Sequence, residues 1–257
     1  MTQGSDTPGN GKPPAKRPGQ EAPRPLPKRF YTSVSVVPHA EGFAVRLDGR
    51  PIRTPARREL VLGTEALARA VADEWEAQGE HIDPATMPLT RIANTAIDAE
   101  ERMGEVAADI VAFAGSDLLC YRAEAPEGLV ARQSAHWDPV LAWAKRALGA
   151  AFVLREGVMP IAQPDAALGA VARALEAFDP IPLAALHVMT TVSGSALLAL
   201  AVAEGALSLE DAWSAATVDE TWQREQWGID AEAEAASRHK HEEFMAASRL
   251  IALSRQS

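Results

Sequence analysis

Glu220 is the carboxylate in this chain with the most chemical potential, because it stands between two tryptophans. With Ser208 to Trp227 taken as one helix, Leu209, Trp213, Ala216, Glu220, Gln223 and Trp227 fall on a single stripe. A carboxylate that faces a core is costly unless it is paired, hydrogen-bonded or aimed at a partner. Two readings stay open. One is a structural salt bridge or a neutral, hydrogen-bonded acid; the other is a carboxylate offered to a partner's Arg or Lys from an aromatic-lined surface. An enzyme of unknown class, with Glu220 as acid or base, is the alternative use of the same group. Asp219 lies on the flank of the same turn. Trp222, off the stripe and beside charges, is the tryptophan expected to be an exposed contact.

Other candidates carry less. His239 and Glu243 lie one helical turn apart, but His241 falls on another face and no third ligand is near, so a solvated face is expected and no metal. The single cysteine, Cys120, excludes an internal disulfide and a thiolate cage. It sits in the apolar run Leu118-Leu119-Cys120-Tyr121 and reads as a buried structural thiol. His136, beside Trp137-Asp138-Pro139, reads as packing or capping rather than a general base. Gly9-Asn10-Gly11-Lys12 lacks the Ser or Thr of a phosphate loop. Ser193-Gly194-Ser195 is a small-residue patch inside an expected helix, not a nucleophile elbow. No cofactor is expected.

The bulk numbers narrow the class. The 257 residues are 47% hydrophobic, enough for a packed core. With 35 acidic against 25 basic residues the net charge is −10, which argues against a nucleic-acid binder. Residues 1–28 are rich in Pro, Gly, Lys and Arg and read as a disordered tail. They hold no apolar secretion segment, and their prolines disfavour an amphipathic transit helix. Ile181 to Ala203 carries no formal charge and is long enough to span a bilayer. Its middle holds His187, Thr190, Thr191, Ser193, Gly194 and Ser195, and its flanks are Asp179 and Glu204. A buried core helix is therefore expected, not a membrane span. No heptad seam is present, so a monomer is the default.

The elements that must position these groups fall into two parts. Phe30 to Val37 and Gly42 to Leu47 read as strands, and Asp48-Gly49 as a hairpin turn before Arg50. Short strands near Ile52 and Leu60 complete a small antiparallel sheet. Thr64 caps a helix whose Leu67, Val71 and Trp75 make one apolar face, and Gly79 ends it. Helices then follow one another over Pro88 to Glu101, Met103 to Ala114, Pro126 to Leu148, Pro164 to Phe178, Pro182 to Glu204, Ser208 to Trp227 and Ala231 to Leu253. Leu118 to Arg122 and Phe152 to Arg155 are short extended pieces. The expected class is α+β: a tail (1–28), a small sheet-plus-helix domain (29–82) and a larger helical domain (83–257).

Several motifs in fixed order resemble one family. They are Asp48-Gly49-Arg50-Pro51 with Asp73-Glu74-Trp75, Met87-Pro88-Leu89-Thr90, Asn94 to Asp98, Asp117 to Tyr121, Gln133 with Trp137-Asp138-Pro139, Trp143, and Gln223-Arg224-Glu225-Gln226-Trp227-Gly228. From about Arg29 to about Leu250 the chain resembles the assembly chaperones that hold the alpha subunit of F-type ATP synthase (the Atp-twelve family). The resemblance implies a two-domain, non-catalytic chaperone. It would bind the unassembled alpha subunit, shield the surface that later meets the beta subunit, and leave when beta arrives. The family's important acidic position maps onto Asp219 or Glu220, and the stripe prefers Glu220. The expected partner-binding residues are Glu220, Asp219, Trp222, Gln223 and Trp227; Asp48, Gly49, Arg50 and Trp75 are expected to be structural. Family members act in the bacterial cytoplasm or the mitochondrial matrix, and this composition favours the former.

Overall fold

The computed structural model describes residues 25–228 and 230–256. The expected tail thus lies mostly outside the described residues. Its last part is paired: Pro27 accepts from the Ile82 N–H at 2.8 Å, and Lys28 bridges His81.

The sheet is built on a hairpin, β1 (Val34–His39) against β2 (Gly42–Leu47), antiparallel from Val34↔Leu47 to His39↔Gly42. The chain reverses at Asp48 and Gly49, with φ of 48° and 77°, the left-handed pair a two-residue turn requires. β3 (Arg50–Pro51) and β4 (Val61–Leu62) then pair with different stretches of β2. The Asp48 carboxylate accepts from the Thr32 and Ser33 N–H groups at 3.1 and 2.9 Å and from both hydroxyls. These bonds hold its carboxyl down at about 2 and pin the chain entering β1 to the turn leaving β2.

Helix α1 (Glu65–Glu76) starts at Thr64, whose hydroxyl accepts from the Leu67 N–H at 3.2 Å. Leu67 and Val71 are buried under the sheet, and half-buried Trp75 stands edge-on to Tyr31 with centroids 5.7 Å apart. The Tyr31 hydroxyl donates to the Trp75 carbonyl at 2.7 Å. Ala77 caps the helix, so the expected terminator Gly79 lies beyond its end. Glu74 reaches sideways to the next helix, α2 (Pro88–Asp98), which lacks a side-chain cap of its own. It accepts from the Leu89 and Thr90 N–H groups, both at 2.8 Å, and burial pushes its carboxyl above the usual range despite those bonds.

The rest is helical. α3 (Met103–Gly115) leads to β5 (Tyr121–Arg122), then α4 (Glu127–Trp143) ends in a π-helical turn, Ala144–Leu148. β6 (Arg155–Glu156) pairs parallel to β5, and α5 (Asp165–Leu175) follows. Two expected long helices are each broken in two. Pro182 to Glu204 is α6 (Pro180–Ser193) and α7 (Ala196–Ala203): Gly194 at φ 72° ends the first, and Ser195 caps the second through the Leu198 N–H at 3.0 Å. The small-residue patch is therefore a joint between helices. Among the described residues no helix is long and apolar enough to cross a membrane. Ser208 to Trp227 is α8 (Leu209–Ala216) and α9 (Val218–Trp227), jointed at Thr217, whose hydroxyl donates to the Trp213 carbonyl at 2.8 Å. α10 (Ala231–Ser254) closes the fold across α6.

One apolar cluster runs from Tyr31 to Ile251, with α6 and α7 at its centre. Trp137 of α4 is fully buried and donates its indole N–H to the Ala215 carbonyl of α8 at 2.8 Å. Cys120 is buried, and burial pushes its thiol up to about 12. Asp117 is buried completely. Its two oxygens accept from the Leu119 and Leu197 N–H groups, each at 3.1 Å, so one carboxylate caps both a 3-10 turn and α7.

Asp117 gives a pH-dependent stability. Burial raises its carboxyl from 3.8 to about 6 against the pull of its hydrogen bonds. The folded chain then holds a proton that the unfolded chain has lost, so this group's contribution is full below about pH 4 and is lost as pH rises through about 6. A difference of that size between the folded and unfolded chain is worth roughly 3 kcal/mol. Asp117→Asn should flatten the pH dependence of urea unfolding across that window. An unchanged slope would mean that another group titrates there.

Candidate functional site

α9 is amphipathic in an unusual sense: polar groups on both sides, one set bonded inward and one set left outward. Asp219, Trp222 and Glu225 form the inner stripe, facing α4. The Gln133 amide N–H donates to Asp219 at 2.7 Å, and its carbonyl accepts from the Ala123 N–H at 2.8 Å. Gln133 is buried, so this side chain joins the end of β5 to the start of α9. Arg132 lies 5.1 Å over the Trp222 ring and donates to Glu225 at 2.9 Å. That hydrogen bond holds the Glu225 carboxyl below its usual range. Val218 is the buried residue of the helix.

Glu220, Gln223, Arg224 and Trp227 form the outer stripe, all exposed. Trp227 is 81% exposed, a large aromatic ring left in water. Gly228, at φ 91°, ends α9 directly after it. The outer stripe and the first turns of α10 enclose a cleft of about 460 Å³, with Glu220, Trp227, Asp230 and Lys240 in its lining. A second cleft of about 230 Å³ has Trp213, Val192 and Leu118 in its wall, and it shares Glu220 and Lys240 with the first. Glu220 therefore sits where the two clefts meet, with one tryptophan on each side.

The structure excludes a core-facing Glu220 and corrects the expectation for Trp222. Glu220 is exposed, not turned toward a core, because the Thr217 joint rotates α9 away from the stripe drawn through α8. Trp213 stays with α8 and stacks on His241 and Phe244, with centroids 4.9 and 5.7 Å away. Trp222 is the half-buried tryptophan of α9 and Trp227 the exposed one, the reverse of what their charged neighbours suggested. His239 stands 3.8 Å from Glu243, which is taken by Arg91 at 2.6 Å. Among the described residues no group of three metal-ligating side chains forms. Sequence reasoning missed Gln133 and Arg132 as the supports of α9. The signal available was partial: Gln133 stood among the motifs that carry the resemblance, but nothing in the sequence tied it or Arg132 to α9.

The arrangement offers a carboxylate, an amide and an indole on the open side of a supported helix. It suits contact with another surface. Residues 28–145 match the model of the ATP12 chaperone protein. Three solved structures resemble the whole fold. The chain is 42% identical to Atp12 from Paracoccus denitrificans, with a TM-score of 0.84, covering 89% of this chain and 99% of that one. The chain belongs to the ATP12 chaperone family. An aspartate-to-lysine variant of P. denitrificans Atp12p matches at 41% identity and the same TM-score, covering 89% of this chain and 98% of that one. The Agrobacterium tumefaciens protein Atu1473, a chaperone candidate, matches at 51% identity and a TM-score of 0.85, covering 88% and 86%.

Gln133→Leu should be markedly destabilising, because it leaves the Ala123 N–H and the half-buried Asp219 without their partner, at about 1–3 kcal/mol for each such group. Trp227→Ala should change stability by no more than about 0.5 kcal/mol, as an exposed position does. Urea denaturation of both variants tests the contrast, and equal losses would refute the division of α9 into an inner and an outer face.

Proposed function

We propose that this chain is an assembly chaperone for F-type ATP synthase that binds the unassembled alpha subunit, its client, through the outer stripe of α9 and the adjoining turns of α10. It shields the surface that alpha later presents to beta and is released when the two subunits meet. Membership of the ATP12 chaperone family supports the role in assembly. The observation that carries the site is Trp227, 81% exposed and aligned with Glu220 and Gln223 on one face of one helix. A tryptophan contributes a large contact area at low entropy cost, and such residues dominate interface energies. Glu220, at the junction of the two clefts, is the group to meet a cation of the client.

Asp219 and Trp222 serve this site from behind. Asp219 is engaged by Gln133, and Trp222 lies under Arg132, so neither is free for the client. Of the two acids, Glu220 is the contact and Asp219 the support. The reading places the protein, as a monomer, in the compartment where alpha is made, the cytoplasm of a bacterium.

Glu220→Lys tests it. A like-charge meeting at an interface costs about several kcal/mol. A loss of about 2 kcal/mol raises the dissociation constant for purified alpha subunit roughly thirtyfold. The melting temperature should stay near that of the parent, since Glu220 is exposed. Unchanged affinity, or co-purification of neither synthase subunit with a tagged chain in cells holding free alpha, would sink the proposal.

A further inference from the structure

The inner face of α9 is fitted to one turn of α4, and the fit depends on a missing side chain. Gly128 lies in the first turn of α4, and Arg132 one turn further along the same face. The Trp222 indole crosses the gap between them, its ring tip on Gly128 and its face under Arg132. A Cβ placed on Gly128 would stand 2.8 Å from Trp222 Cη2 and 3.2 Å from Cζ3. Carbon atoms in ordinary contact stay about 3.5–4.0 Å apart. The backbone does not demand glycine here, because Gly128 is not among the positive-φ residues. The demand is for space.

We propose that Gly128 and Arg132 are positioning residues for the client-binding face: they form a slot that seats Trp222 and thereby fixes the direction in which α9 presents Glu220, Gln223 and Trp227. This rests on the reading that α9 meets the client. Three tethers act along the inner stripe at successive turns. Gln133 holds Asp219, the slot holds Trp222, and Arg132 holds Glu225. Among the described residues little else holds the helix, since Val218 is its buried residue and α4 is its main neighbour. Its two ends are a Thr217 joint and a positive-φ Gly228. A helix held on one side can be displaced whole by filling its slot, with no change to any residue that touches the client. The indole is broad and turns about only two bonds, so it cannot fold away from a new side chain as a leucine or methionine would. Displacing it also frees the Arg132 guanidinium, which then no longer holds Glu225 at a fixed point. The outer stripe loses alignment as a unit.

The experiment uses the full chain labelled with 5-fluorotryptophan, and purified alpha subunit as the probe. Gly128→Leu should weaken binding roughly tenfold or more. The fluorine resonance of Trp222, assigned from Trp222→Phe, should shift while that of Trp137 stays in place. In the Trp222→Ala background, Gly128→Leu should have no further effect on affinity, because nothing remains to be displaced. Gly128→Ala, whose Cβ at 2.8 Å asks the ring tip to move by roughly 0.7 Å or more, should act in the same direction and less strongly, and it serves if the leucine variant does not fold. A leucine that weakens binding equally in both backgrounds would overturn the proposal, since it would then block the client directly. An unmoved Trp222 resonance would overturn it as well. Should Glu220→Lys weaken binding while Gly128→Leu leaves it intact, the positioning role alone falls. Should both leave it intact, α9 is not the client face and the proposal falls with that reading.

Discussion

The Asp117 carboxylate is the constraint on which the architecture turns. It sits fully buried at the end of α3 and terminates two elements far apart in sequence, the 3-10 turn at Leu118 and helix α7. Where Gly194 breaks the run from Ile181 to Ala203 and Ser195 restarts it, Asp117 takes up the Leu197 N–H that the break exposes. The break is what lets an uncharged run of that length become two short helices of a globular core. α7 has eight residues, about 12 Å of helix. Packed end-on to Asp117, it buries nearly all of its side chains and forms the floor against which α4, α8 and α10 rest. An isolated charge in such a place costs more than its hydrogen bonds return, and the raised carboxyl reflects that balance. A buried acid with donors from two separate segments specifies which segments meet, a job that apolar packing does poorly.

The same device recurs at lower burial. Asp48 joins the chain before β1 to the hairpin turn, and Glu74 on α1 caps α2. Asp98 accepts from the Thr54 hydroxyl and the Ala56 N–H, tying the end of α2 to the loop after β3. Four carboxylates thus fasten strand to turn, helix to helix and helix to loop. The net charge of −10 is therefore not simply a solvated surface. Several of its acids are internal fasteners, leaving the α9 face with a carboxylate that has no such task.

How much of this the sequence could show follows from the range of the interactions. The hairpin was legible because Asp48-Gly49 is a local instruction: φ preference and turn length act within two residues. The α1 face was legible because Leu67, Val71 and Trp75 repeat at helical spacing. The helix breaks were not. At Ser195 the restart is completed by Asp117, eighty residues from the Leu197 N–H that it accepts, and at Thr217 the break turns on a hydroxyl's choice of carbonyl; periodicity records neither. The stripe from Leu209 to Trp227 was a correct count along a helix that does not continue. It still placed Glu220 between Trp213 and Trp227, since the joint turns α9 without carrying it away from the clefts. It failed on which tryptophan is exposed, because what covers Trp222 comes from α4.

That failure bears on how a chaperone of this kind can hold a surface open. If α9 is the client face, as proposed, it cannot also be held by the core on that side, so it draws its stability from behind. The polar inner stripe meets that need. Cation–π contact, an ion pair and an amide bridge are each modest, and together they fix a helix with a single buried apolar residue. Fixing it matters for affinity, because a face already in place when the client arrives loses little freedom on binding. On the same proposal, weak fixing suits release, because a helix held by a few polar contacts can yield when a tighter partner competes for the client. On the proposed reading the inner stripe of α9 sits between those two demands, fixing the helix that carries Trp227 through contacts that are each modest.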